Sequence, residues 1–118
     1  MTEFSVAGKL YHNPVEFLLD RLGGKWKIPI LWRLSKRVWR YNELQKDIPL
    51  VTHKMLTQQL KELEKDGFIQ RKAYAVIPPK VEYGLTEKGK AVIPFIEKLR
   101  EWGLRLYVLE TNDTTKTL

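Results

Sequence analysis

The sequence predicts a mainly α-helical fold that carries one small β-hairpin. Three observations predict it. In the stretch THKMLTQQLKELEKDGF, residues 52–68, Leu56, Leu60 and Leu63 recur at the spacing that lines one stripe of a helix. Residues 68–76 are then rich in β-branched and aromatic types, and residues 80–85 read as a second short strand. Between these strands Ile77-Pro78-Pro79 cannot continue a ladder, because proline donates no hydrogen bond. The third observation is a further helical run after the hairpin. Helix, basic hairpin and helix in that order are the layout of a winged helix-turn-helix.

Taken in order, residues 1–12 carry no strong period and are expected to form an N-terminal arm. Asn13-Pro14 opens a first helix, since Asn caps and Pro suits a first turn whose N–H has no partner. Val15, Leu18, Leu19 and Leu22 supply its apolar stripe, and Gly23-Gly24 ends it. A second helix starts near Trp26 or Lys27, because Pro29 is tolerated only near a first turn and costs about 3 kcal/mol deeper inside. Trp26, Ile30, Leu31 and Leu34 stand at core spacing. Residues 41–48 form a short amphipathic helix with Tyr41, Leu44 and Ile48 inward, and Pro49-Leu50-Val51 turns into the next helix. Thr52 is its expected N-cap and Gly67 its stop. Thr86 caps the last helix, whose period runs through Ile93, Ile96, Leu99, Trp102, Leu106 and Leu109. Pro94 predicts a kink or break in it. Residues 111–118 read as a polar tail, so one domain is expected over residues 1–110.

Charge narrows the function. Lys and Arg number 21 against 14 Asp and Glu, a formal net charge of +7, which disposes the chain towards a polyanion. Between Lys25 and Arg40 there are only basic charges. The face of the residue 52–68 helix opposite its leucines carries Lys54, Gln58, Lys61 and Lys65. Amide and ammonium groups match acceptor-rich major-groove edges, so Lys54 and Gln58 are the candidates for base contact. Thr52, His53, Thr57 and Lys61 share the first turns and outer face. Arg40, Tyr41 and Asn42 open the preceding helix, where a phosphate can be held. Arg71, Lys72 and Lys80 of the hairpin are candidates for backbone or minor-groove contact. Double-stranded DNA is the partner this pattern fits. The bland reading of each charged face is solvated surface; the combination is what favours DNA.

Other classes fit less well. The chain has no cysteine, which removes disulfides, thiolate metal sites and thiol redox sensing. His12 and His53 are the only histidines and neither stands in metal-ligand spacing with carboxylates, so no metal and no cofactor are expected. Gly23-Gly24 and Gly89 make no phosphate loop, and no nucleophile is paired with a base; an enzyme is not expected. Glu62 and Glu64 read as solubilising charge. A winged-helix protein-interaction module without DNA binding is the alternative reading, and the cation column argues against it. No secretory signal or membrane span is evident, which points to the cytoplasm. Trp26 reads as packing. Leu99, Trp102 and Leu106 lie on a terminal helix too apolar for so small a core to cover, which calls for a dimer interface. A small-molecule effector could sit between such helices, but no residue specifies its chemistry.

The order of motifs resembles the HxlR-type winged-helix transcriptional regulators, a group similar to the MarR regulators and found in bacteria and archaea. The matching stretches are NPVEFLLDRLGGKWKIPILWRL, RYNELQKDIPLVTHKMLTQQLKELEKDGFIQRKAY, PPKVEYGLTEKGKAVIPFIEKL and REWG, about residues 13–103. The resemblance implies a homodimer built from the N-terminal arm, with Leu10, and the terminal helices. It also implies two recognition helices on a pseudo-palindromic operator. Many members of the group carry cysteine just before the proline of the first helix; here that position is Asn13. The thiol mechanism is therefore not carried over.

Overall fold

The computed structural model describes residues 3–112. A hairpin, β1 (Phe4–Val6) and β2 (Lys9–Tyr11), precedes α1 (Pro14–Leu22) and α2 (Lys27–Leu34). The short strand β3 (Trp39–Arg40) runs directly into α3 (Tyr41–Asp47), and α4 (His53–Lys65) follows after a turn. A second hairpin, β4 (Ile69–Tyr74) and β5 (Lys80–Leu85), leads to α5 (Glu87–Ala91) and α6 (Ile93–Thr111). The fold is mainly helical with a small antiparallel wing, as the sequence predicts.

Caps and breakers set the helix boundaries. Asn13 Oδ1 accepts from Glu16 N at 2.9 Å with Pro14 in the first turn of α1, and Thr52 Oγ1 accepts from Met55 N at 3.1 Å to start α4. Gly67 ends α4 at a φ of +83°, a left-handed conformation that glycine adopts without steric cost. The break expected from Pro94 is present: α5 and α6 part at Val92, and Pro94 falls in the first turn of α6.

One apolar cluster ties the elements together. The α4 stripe, Leu56, Leu60 and Leu63, is buried with Ile30 and Leu31 of α2, Leu44 of α3, Ile69 of β4 and Ile96 of α6. Each such side chain contributes about 1.5–3 kcal/mol by leaving water. Helix α4 is thereby clamped from four elements, while its opposite face stays in solvent.

The structure adds detail to three expectations. The N-terminal arm is the β1–β2 hairpin, turned at Ala7-Gly8, both with positive φ as a type I′ turn requires. It is held by Tyr11, whose buried ring stacks on Phe4 and meets Phe17 of α1 edge-on at 5.1 Å. The wing sheet has a third strand: β3 pairs with β5 through Trp39↔Tyr83 and Arg40↔Glu82, giving the order β3-β5-β4. The α1 stripe is only half used, because Leu22 and Leu18 join the core while Val15 and Leu19 stay exposed. No helix among the described residues is long and apolar enough to cross a membrane.

Candidate nucleic-acid interface

The helix-turn-helix is formed by α3, the turn over residues 48–52, and α4. Ile48 and Val51 are buried and anchor the turn, while Leu50 between them is exposed at a φ of +65°. The side of α4 away from the core carries Lys54, Gln58, Lys61 and Lys65, all exposed. The wing stands next to it, and the two enclose a cleft of about 660 Å³.

The structure gathers most of the predicted residues at this cleft. Arg40, Tyr41 and Asn42 line it from the start of α3, His53, Thr57 and Lys61 from α4, and Arg71 and Lys80 from the wing. Lys54 and Gln58 lie outside it, on the shallow outer surface of α4 that they share with His53, Thr57, Lys61 and the carboxylate of Glu62. Thr52 sits at the mouth of α4 with its hydroxyl engaged in the cap. Lys72 is set apart. Strand alternation puts Arg71 on the face of Tyr83 and Lys72 on the other, beside Tyr74 and opposite Glu82.

Several members of the site were not read from the sequence. Tyr83, Val81, Pro78 and Pro79 wall the cleft, and Glu64 places one carboxylate in it. Burial pushes the Tyr83 hydroxyl up, and the neighbouring Arg71 opposes that shift. Glu43 reaches back to accept from the backbone N–H of Arg40 at 2.8 Å, and Arg37 lies 3.2 Å from the same oxygen. Those two partners hold the Glu43 carboxyl below its ordinary value. The Arg40 N–H is thus already occupied. Tyr41 contacts α4 directly: its hydroxyl is 2.5 Å from His53 Nδ1 and 3.3 Å from Thr57 Oγ1.

Glu62 also departs from its reading as solubilising charge. It pairs with Lys27 of α2 at 2.8 Å, and that lysine is 6% exposed. Lys27 in turn holds the Glu62 carboxyl below its ordinary value. Among the described residues, Lys54 and Lys61 have no carboxylate within ion-pairing distance, and no group of acidic or histidine side chains there is placed to hold a metal.

The predicted interface residues are exposed on the single chain. Trp102 and Leu106 of α6 are 59% and 54% exposed, with Leu99 and Leu109 also uncovered; Leu10 stands open on β2.

A two-helix unit flanked by a three-stranded wing defines the winged helix-turn-helix class of regulator. The chain belongs to the HxlR-like helix-turn-helix family, whose model matches residues 21–110. It is 50% identical over 90 residues to the uncharacterized HTH-type transcriptional regulator YdeP of Bacillus subtilis (strain 168), covering 76% of this chain and 70% of that protein. An uncharacterized HTH-type transcriptional regulator of Methanothermobacter thermautotrophicus is 48% identical over 93 residues, 79% of this chain and 71% of the relative. Among solved structures, the redox regulator HypR in its reduced form superposes with a TM-score of 0.79 at 45% identity, covering 84% of this chain and 99% of HypR. The family is one of transcriptional regulators and not of enzymes.

Proposed function

We propose that the chain is a sequence-specific DNA-binding regulator that acts as a homodimer on an inverted-repeat operator. One observation carries this reading: the outer face of α4 presents Lys54 and Lys61 free of carboxylate partners, with Arg71 of the wing across the cleft. Glu62, which also lines that face and is hydrogen-bonded with Gln58, has its charge paired by Lys27. In this reading α4 enters the major groove, where Gln58 and Lys54 meet base edges and His53 stands at the leading end. Arg40, Asn42, Thr52 and Lys61 hold the flanking backbone, and Arg71 and Lys80 reach the adjacent strand.

The dimer half of the reading rests on the uncovered side chains Leu99, Trp102 and Leu106 of α6 and Leu10 of the hairpin. Exposed apolar area of this kind is a docking surface more often than plain surface. Selection of bound duplexes from a random pool tests the whole reading. Enrichment of a two-fold symmetric sequence supports it, and a pool that stays random after repeated rounds contradicts it.

A further inference from the structure

Tyr41 and His53 form an oriented hydrogen-bond chain at the leading end of α4. The Tyr41 hydroxyl lies 2.5 Å from His53 Nδ1, and the rings meet edge-on with centroids 5.3 Å apart. Thr57 Oγ1, one turn along α4, is 3.3 Å from the same phenol oxygen. A phenol is a far stronger acid than a neutral imidazole N–H, and an imidazole nitrogen is a better acceptor than a phenol oxygen. The short contact therefore runs from the Tyr41 O–H to Nδ1. Nδ1 is far nearer the hydroxyl than its other acceptor, the His53 carbonyl at 3.4 Å, so the Tyr41 proton goes to the imidazole and Thr57 donates to Tyr41. The ring proton is left on Nε2, since the tautomer follows from the bond that the other nitrogen makes. Nε2 has no hydrogen-bond partner among the described residues. His53 borders both the cleft and the outer surface of α4.

We propose that Tyr41 is a positioning residue that fixes His53 as the Nε2–H tautomer, making it a one-way donor that reads an acceptor edge of the DNA. The inference rests on the proposed DNA-binding reading and goes further, assigning one base preference. Guanine O6 and N7, adenine N7 and thymine O4 accept in the major groove, whereas the cytosine N4 amino group does not. A histidine free to exchange tautomers discriminates poorly, because it meets a donor or an acceptor equally. Tyr41 is in this account a contributor to specificity and not a phosphate contact.

Two measurements test it. The chain has two histidines, His12 and His53, so nitrogen-15 spectra of histidine-labelled protein are assigned with one variant, His53→Ala. The expected wild-type spectrum shows His53 Nδ1 with an acceptor-type shift and Nε2 with a protonated-type shift. In Tyr41→Phe the two shifts converge towards their exchange average. On duplexes differing at the His53 position, Tyr41→Phe loses about fivefold of the discrimination between acceptor and cytosine edges, a single hydrogen bond's worth. The ratio is taken on duplexes that differ at this one pair alone, so any change in overall affinity cancels. An averaged or Nδ1–H spectrum for wild type overturns the inference. So does a Tyr41→Phe protein that selects sequences as wild type does. A wild-type chain with no sequence preference overturns the proposed function itself, and the spectrum in the absence of DNA separates that failure from this one.

Discussion

Lys27 Nζ lies 2.8 Å from Glu62 Oε1, joining the buried start of α2 to the last turns of α4. The two ends differ: the Lys27 side chain is 7% exposed and that of Glu62 42%. Removing the carboxylate strands a buried ammonium, whereas removing the lysine leaves a carboxylate that water can reach. Glu62→Ala is expected to cost about 2 kcal/mol, below the 3–5 kcal/mol of a fully buried pair because Glu62 is partly solvated. Lys27→Met, apolar and similar in length, is expected to be close to neutral. Urea unfolding of both variants checks this ordering, and equal losses contradict it.

The same pair predicts an acid limb of stability. Lys27 depresses the folded-state value of Glu62, so the unfolded chain binds a proton before the folded one does. The stabilisation is complete above the ordinary glutamate value of about 4.3 and is lost as pH falls through the depressed folded value. Glu62→Gln should flatten that part of the stability–pH curve. An unchanged curve contradicts the pairing.

Phosphate contacts are counted by salt. Lys61→Ala and Arg71→Ala should each weaken binding and reduce the slope of log K against log salt by about one, whereas Lys54→Ala, at a base edge, should weaken binding chiefly to the preferred sequence. Lys72→Ala should do less, since Lys72 does not line the cleft. Binding titrations over a range of salt concentrations read all four. If Lys61→Ala and Arg71→Ala keep the wild-type slope, the assigned surface is wrong.

Assembly is tested without DNA. Sedimentation at micromolar concentration should give a dimer, and Trp102→Glu or Leu106→Glu, which puts charge on exposed apolar positions, should shift it towards monomer. Neither site contributes to the buried core, so loss of the dimer should leave the helical content intact. A monomeric wild type contradicts the reading.

Sensing by a thiol is excluded by composition. HypR is described as a redox regulator with an oxidized and a reduced form, and this chain, at 45% identity to it, has no cysteine. Asn13 stands where many of the group carry the thiol, and it serves as the N-cap of α1. Hypochlorite or quinones at thiol-selective doses should leave operator affinity unchanged. Gel shifts before and after treatment decide, and a prompt loss of binding refutes the claim.

What the sequence revealed and what it hid divide along physical lines. Helix α4 and the β4–β5 wing were legible because period, caps and prolines are local signals, written within about 20 residues. The β1–β2 hairpin was not, since three-residue strands joined by Ala7-Gly8 carry almost no period. Strand β3 is two residues long and exists only because β5 lies beside it. Lys27 with Glu62, and Tyr41 with His53, are pairs made by tertiary packing. Glu62 looked like any exposed acid until α2 was placed against α4. The candidate DNA surface was readable as a list of residues, and the cleft that groups most of them was not.

The central claim, two α4 helices presented by one rigid two-fold dimer, makes a geometric demand. Both helices must meet the same face of the duplex, with their centres about 34 Å or roughly 10 base pairs apart in an inverted repeat. Inserting about five base pairs between half-sites turns one of them to the opposite face while leaving every base contact chemically available. Footprinting on the natural and expanded sites reads the outcome directly. The account predicts that protection of the expanded site collapses to the non-specific level. Full protection of both half-sites after the insertion would show independently binding subunits and contradict it.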